Sequence, residues 1–169
     1  MNIQIPEFSL VVLVGAAGCG KSSFAKKHFR ATEILSSDFF RGMITDDEND
    51  ITASKDAFDL LYQAAVQRLK RRKLTVIDAT NVKKDRRKPL LQLAERYSCT
   101  PVAVVLHFPE EICLERNRER AYRTVPADVI RKMTENLRQS LHTLKDEGFK
   151  EVFILSSPEE ADQVTIERR

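Results

Sequence analysis

An apolar run without polar alternation, Phe8-Ser9-Leu10-Val11-Val12-Leu13-Val14, leads directly into Gly15-Ala16-Ala17-Gly18-Cys19-Gly20-Lys21-Ser22. The run reads as a strand buried on both faces, hence central and parallel. The segment after it matches the phosphate-loop pattern G-x-x-x-x-G-K-[ST] in full, and a helix to about residue 30 is expected to follow. Strand, glycine-rich loop and helix in that order let backbone N–H groups converge on phosphate oxygens at a positive helix N-terminus. Gly15, Ala16, Ala17, Gly18, Cys19, Gly20, Lys21, Ser22 and Ser23 are therefore the expected cradle of ATP or another nucleoside triphosphate. Lys21 is expected to reach the β- and γ-phosphates, and the Ser22 hydroxyl to ligate Mg²⁺. Cys19 reads as a small residue filling a loop position, with a redox-sensitive thiol at a helix N-terminus as the alternative.

Further apolar runs at Glu33-Ile34-Leu35, Leu74-Thr75-Val76-Ile77, 102–108 and 151–155 read as strands. Helical patterns fill the gaps. Ser54 is expected to cap a helix to about residue 72 that buries Phe58, Leu61, Ala65 and Leu69, whose spacing is helical. Helices are also expected over 85–97, 109–120 and 126–147, the last with Pro126 at its first position and Gly148 as its stop. Alternation of this kind gives an α/β fold, a central parallel sheet with helices on both faces. Ligands of such sheets bind beyond the carboxyl ends of the strands, here from Gly15, Ser36, Asp78 and Pro109 onward. With 169 residues the chain fits one domain over 1–169, with a helical lid over about 109–135. Val164-Thr165-Ile166 reads as a last strand, and the stop at Glu167-Arg168-Arg169 without a polar tail leads us to expect a domain cut from a longer, multidomain chain.

Charge and cysteine content narrow the partners. Lys and Arg number 28 against 25 Asp and Glu, so no global field drives the chain onto DNA or an anionic membrane, and any basic surface is local. Three cysteines, Cys19, Cys99 and Cys113, stand at neither disulfide nor zinc spacing. A reducing, cytoplasmic setting is expected, with no secretion signal in Met1 to Glu7 and no apolar run near the roughly 18 residues that span a bilayer.

Four more segments carry chemistry. In Ser36-Ser37-Asp38-Phe39-Phe40-Arg41 the acid faces the phosphate loop across the crevice, where a carboxylate would accept the proton of an acceptor hydroxyl. Its alternative is a helix cap, and the two roles are compatible. Arg41, one turn on, lies on the same face and would hold a phosphate flanking that hydroxyl. Asp78 ends an apolar strand, the position from which an acid reaches Mg²⁺ or its waters, and Asn81 either caps the next helix or touches the acceptor. No D-x-x-G follows Asp78 and no N-K-x-D appears later, which removes the main supports of a guanine switch. Arg116 and Arg120 stack on one helical face, where an anion between them relieves their repulsion, as in a lid clamping phosphoryl oxygens; a solvated face paired with Glu115 and Glu119 is the alternative. Arg123, Pro126 and Arg131 follow. Lys83, Lys84, Arg86, Arg87 and Lys88 form a basic cluster at the active edge, either drawing in a polyanionic acceptor or forming a solvated face. The cluster from Arg68 to Lys73 lies at the opposite edge. Asp46-Asp47-Glu48-Asn49-Asp50 reads as a mobile surface loop, and Phe39 and Phe40 are the aromatics expected at the crevice.

Taken in order, Gly15 to Ser22, Ser37-Asp38-Phe39-x-Arg41, Asp78-Ala79-Thr80-Asn81, Arg116-Asn117-x-x-Arg120, Val125-Pro126 and Val129-Ile130-Arg131 resemble the polynucleotide 5′-hydroxyl kinases of the P-loop phosphotransferase class. The likeness is nearest to the N-terminal kinase domain of bacterial polynucleotide kinase-phosphatases of RNA end repair. It implies a P-loop phosphotransferase fold and Mg²⁺-dependent transfer of an NTP γ-phosphate to the 5′-OH end of RNA or DNA. It further implies Asp38 as general base, Arg41 on the acceptor with Asp78 and Asn81 nearby, Arg116 and Arg120 as donor clamp with Lys21, and Val129 near the donor base. Cys19 departs from the family, which often has Ser there. Such family members continue into phosphatase and ligase-like domains. From the residues alone, two other readings stay open: a kinase of a small-molecule hydroxyl and a non-catalytic NTP-dependent binding module.

Overall fold

The computed structural model describes residues 1–121 and 125–169; Arg123 lies outside them. The elements in order are β1 (Asn2–Ile5), β2 (Ser9–Val14), α1 (Lys21–His28), β3 (Ile34–Ser36), α2 (Ser37–Thr45), α3 (Ser54–Lys70), β4 (Thr75–Asp78), α4 (Lys84–Arg96), β5 (Thr100–Leu106), α5 (Glu110–Glu119), α6 (Ala127–Ser140), β6 (Glu151–Leu155), α7 (Pro158–Gln163) and β7 (Thr165–Arg168). Five strands form a parallel sheet in the order β3-β4-β2-β5-β6. The apolar run after Glu7 is its central strand, and all six of its residues are buried. The architecture is the expected α/β arrangement, with one core on each face of the sheet.

Strand period sorts the side chains. Leu10, Val12 and Val14 of β2, with Ile77 of β4 and Ala103 and Val105 of β5, face Leu61, Ala65 and Leu69 of α3 and Leu90 of α4. Val11, Leu13, Val76, Val102 and Val104 face the other way, onto Phe24 and Ala25 of α1 and Cys113 of α5. Helix α6 serves both, giving Ile130 to the second core and Leu137 to the first. Each such Leu, Ile or Val contributes roughly 1.5–3 kcal/mol by leaving water.

Several expectations are corrected. Helix α3 buries Ala57, Leu61, Ala65 and Leu69 at a strict spacing of four, which rotates Phe58 out of the core to a half-buried position. Its N-cap is Ala53, not Ser54; Asp50 caps the short 3₁₀ turn before it by accepting from Thr52 N. The helix expected over 126–147 leaves the α path after Ser140, and a 3₁₀ turn at Leu144–Asp146 follows before Gly148 at φ 119°. That break turns Leu144 into the core and Glu147 onto Arg87. Strand β1, which was not anticipated although Asn2-Ile3-Gln4-Ile5 alternates in burial, pairs in parallel with β7, so the two ends of the described chain meet. Arg168 of β7 then forks onto Glu33 at 2.8 and 2.7 Å.

Arg87, expected on a basic face either turned to an acceptor or solvated, is instead fully buried. It donates through Nε and Nη2 to Glu147 at 2.8 and 2.6 Å, through Nη1 to Asn81 O at 2.8 Å and through Nη2 to Ser140 Oγ at 3.0 Å. Ser140 Oγ in turn donates to Val82 O at 2.6 Å. A guanidinium can be buried here because nearly every donor is matched. The network ties the loop after β4 to the C-terminal end of α6.

Removing Glu147 leaves that cation buried and uncompensated, so Glu147→Ala should cost about 3–5 kcal/mol, read as a lower urea midpoint. Burial alone would raise the Glu147 carboxyl, but hydrogen bonds from Arg87 and Thr143 and the Arg87 charge outweigh it and hold it below its ordinary 4.5. A depressed group lends stability that is fully present above its ordinary value and lost as pH falls through the lower folded value. The wild-type midpoint should therefore drop as pH falls below about 4.5, and Glu147→Gln should flatten that drop.

Candidate active site

The phosphate loop joins β2 to α1 and is held in shape by its own packing. A Cβ at Gly15 would lie 2.7 Å from Cys19 Sγ and 3.1 Å from Leu106 O, so the fully buried Cys19 side chain occupies the space that a larger residue at 15 would need. Gly18 has φ 82°, where a Cβ would also come within 2.8 Å of Cys113 O. Gly20, at φ 97°, is the N-cap of α1 without a side-chain cap bond. Lys21 folds over the loop, with Nζ donating to Ala16 O at 2.9 Å and reaching Cys19 Sγ at 3.7 Å. Cys19 is thus a packing residue, in line with the small-residue reading. Burial pushes the Cys99 and Cys113 thiols up to about 12, which keeps them protonated.

Sheet register brings the second acid to the loop. Ser36 and Asp78 are partners at the ends of β3 and β4, and Ser22 Oγ donates to Asp78 Oδ2 at 2.7 Å. Burial pushes the Asp78 carboxyl above the usual carboxylate range, with Lys21 and the Ser22 hydroxyl pulling the other way. A hydroxyl and a carboxylate together are hard oxygen donors that suit Mg²⁺, an ion that keeps several waters and takes one or two carboxylates plus phosphate oxygens. Among the described residues no group of three or more His, Cys, Asp or Glu is placed to hold a metal, so phosphate and water would complete the shell.

Asp38 stands on the first turn of α2. The helix is capped not by Asp38 but by Ser36, whose Oγ accepts from Phe39 N at 3.3 Å. That leaves the Asp38 carboxylate to pair with Arg41 Nη2. Arg41 is buried, and its Nε donates to Glu48 O at 2.9 Å. Gly42 permits the approach, since a Cβ there would meet Glu48 Cγ at 2.9 Å. The acidic run 46–50, expected to be mobile, is therefore folded back and bonded, with Asp47 Oδ1 also accepting from Asn49 N.

Two cavities flank the loop. The larger, about 570 Å³, is lined by Ala17, Gly18, Gly20, Lys21, Ser22 and Ser23 from the loop side and by Asp38, Phe39, Arg41, Asp78 and Arg120 across from it. The smaller, about 370 Å³, opens on the other side of the loop between Phe108, Arg116, Arg120 and the start of α7 at Pro158. Gly18, Gly20, Ser23 and Arg120 line both. Arg116 Nη1 donates to Cys19 O at 3.2 Å, and its guanidinium lies 5.8 Å from the Phe108 ring centroid. Gly15 and Ala16 line neither cavity.

Other expected residues lie elsewhere. Asn81 is buried at φ 48°, and its Nδ2 donates to Leu13 O at 2.8 Å and Ala79 O at 3.3 Å, so it neither caps α4 nor reaches the crevice. Val129 is exposed on the first turn of α6 and lines neither cavity, and Phe40 is packed into the core. Lys84 and Lys88 line a separate cavity with Lys150. The sequence reading missed Phe58, Lys26, Glu48 and Ile51 in the larger cavity and Pro158 to Asp162 at the smaller one. The last group follows the carboxyl end of β6, so the rule on strand ends would have found it; Phe58 carried no signal apart from its neighbours' stricter spacing.

Comparison with known proteins accords with this geometry. Residues 10–141 match the AAA domain family. Phosphate import ATP-binding protein PstB 3 of Streptococcus pneumoniae is 40% identical over 55 residues, 32% of this chain and 22% of its own length. The chain thus spans about a fifth of the curated relatives it matches. Among solved structures, a chain of the Pnkp1/Rnl/Hen1 RNA repair complex superposes with a TM-score of 0.71 at 24% identity, covering 82% of this chain and 47% of that one. A gluconokinase from Sinorhizobium meliloti superposes with a TM-score of 0.56 at 20% identity, covering 93% and 91%. These likenesses show a P-loop kinase fold. With more than three quarters of its length matched and the loop geometry in place, the chain belongs to the AAA domain family.

Proposed function

We propose that this chain is a polynucleotide 5′-hydroxyl kinase that moves the γ-phosphate of ATP or another NTP to a 5′-OH end of RNA or DNA. The observation that carries the reading is that Asp38, Lys21 and the Ser22–Asp78 pair line one cavity. A kinase of an anionic acceptor needs no base, whereas a hydroxyl acceptor profits from a carboxylate that takes its proton. The acceptor oxygen attacks the γ-phosphorus, the bond from that phosphorus to the β,γ-bridging oxygen breaks, and the hydroxyl proton passes to Asp38. Arg41 pairs with Asp38 and holds its carboxylate in place. Lys21, Arg116 and Arg120 neutralise charge on the phosphoryl oxygens. Ser22 and Asp78 would hold Mg²⁺, which would neutralise charge on the donor phosphates.

Support for a polynucleotide comes from the order of the motifs, from the fold shared with a chain of an RNA repair complex, and from the cations Lys26 and Arg120 at the cavity. One observation favours a small-molecule hydroxyl instead: Glu48 of the acidic run lines the same cavity and disfavours a polyanion there.

Label from γ-labelled ATP should pass to a 5′-OH oligonucleotide, not to the same oligomer carrying a 5′-phosphate, and the rate should fall with added salt. Transfer to a free nucleoside with no salt dependence would select the small-molecule reading. Asp38→Asn should lower kcat roughly 10²–10⁴-fold while leaving the Kd for ATP unchanged, and unaltered turnover would remove Asp38 as base. Ser22→Ala should weaken Mg²⁺-dependent nucleotide binding, measured by titration with and without the ion, while binding without Mg²⁺ stays close to wild type.

A further inference from the structure

Large apolar side chains gather at the mouth of the cavity that holds Asp38. Phe39 is 57% exposed and Ile51 is 76% exposed, and both line that cavity. Phe58 comes from α3 to the same wall. None of this follows from folding, because each residue would be better placed inside, as the adjoining Phe40 is. A cluster of exposed apolar side chains bordering a charged crevice marks a binding surface.

The position of Phe39 says what it binds. It lines the same cavity as Asp38, so an acceptor that presents its hydroxyl to Asp38 has its next few atoms within that cavity, where the Phe39 ring is exposed. The Phe39 ring meets the buried Phe40 edge-on, with centroids 5.7 Å apart and an interplanar angle of 79°. That contact steadies one side of the ring and leaves the rest of it to solvent. Phe58 is engaged differently, with the Arg86 guanidinium 5.8 Å from its ring centroid. The surface beside Asp38 is therefore aromatic, with Lys26, Arg41 and Arg120 in the same cavity. A phosphate group alone would avoid that wall. A ligand that carries both a flat apolar ring and flanking phosphates fits the whole.

Resting on the kinase reading above, we infer that Phe39 is a stacking platform for the base of the acceptor's 5′-terminal nucleotide. Stacking on an aromatic ring is tolerant of base identity, because every base has a π-face. The platform selects for a terminal nucleoside with its base in place and not for a sequence. It is a binding residue for the acceptor and does not touch the donor.

The test uses two oligonucleotides with a 5′-OH, identical except that one ends in a normal nucleotide and the other in a base-free sugar. The wild type should favour the base-bearing oligomer by about tenfold or more in kcat/KM, with most of the difference in KM. Phe39→Ala should remove most of that preference, Phe39→Tyr should restore it, and the KM for ATP should stay the same in all three. Because the side chain is exposed, the variants should melt with the wild type. Equal use of both oligomers by the wild type, or an undiminished preference in Phe39→Ala, would overturn the platform. If the wild type phosphorylates neither oligomer, the polynucleotide reading falls and takes the platform with it.

Discussion

Everything at the site depends on holding the ends of β2 and β4 side by side. Three bonds do this beyond the strand ladder: Gly15 N to Thr80 O at 2.9 Å, Asn81 Nδ2 to Leu13 O at 2.8 Å, and Ser22 Oγ to Asp78 Oδ2 at 2.7 Å. The first two are in the loops just beyond the ladder, where backbone groups lose their strand partners and would otherwise need water. Asn81 fills the gap because a positive φ turns its short amide back onto β2, a conformation that Asn tolerates better than most residues. The phosphate loop and the acid opposite it are consequently parts of one hydrogen-bonded unit. A shift of either strand end would separate Ser22 from Asp78.

Behind that junction stands the buried guanidinium of Arg87. Its bond to Asn81 O continues the same chain of contacts into Ser140 and Glu147, so the far end of α6 braces the loop after β4. Polar networks of this kind are costly when incomplete and stiffening when complete. Helix α2 uses the same device on a smaller scale. Arg41 is fixed by Glu48 O, and Asp38 is fixed by Arg41, so the acidic run serves as an anchor for the residue that holds Asp38. Preorganisation of this sort places a reacting group without reordering it at each turnover.

What could be read from the sequence was local. The phosphate loop, the central strand and the acids at strand ends are each set by a few neighbouring residues, and the structure places them where periodicity and strand-end rules put them. What could not be read depends on partners distant in sequence. Arg87 looked like one cation among five, and its buried place rests on distant partners, Ser140 and Glu147, the latter 60 residues away. Asn81 looked like a cap or an acceptor contact because Leu13, 68 residues back, could not be seen as its acceptor. The acidic run looked mobile because its charges face solvent, yet its order comes from a backbone carbonyl, which carries no sequence signal. Phe58 was placed in the core by a spacing of three that the helix also satisfies at four, through Ala57.

The paired cavities explain the composition of the loop better than the motif does. A ligand that occupies both must pass along Gly18, Gly20 and Ser23, the residues common to their walls, with Arg120 alongside. A Cβ at Gly20 would come within 3.0 Å of Arg116 Nη1, and one at Gly18 within 2.8 Å of Cys113 O. Any larger side chain there would press on Arg116 or on helix α5 and narrow the passage. The glycines thus do two things at once: they supply positive φ for the turn, and they keep a thin partition between two spaces. The cationic side chains of Lys21, Arg116 and Arg120 border that partition, so the field is strongest for an anion lying along it. An elongated polyphosphate with an apolar ring at one end and its terminal phosphate beside Asp38 matches that distribution of space and charge, whereas a compact anion would use only half of it.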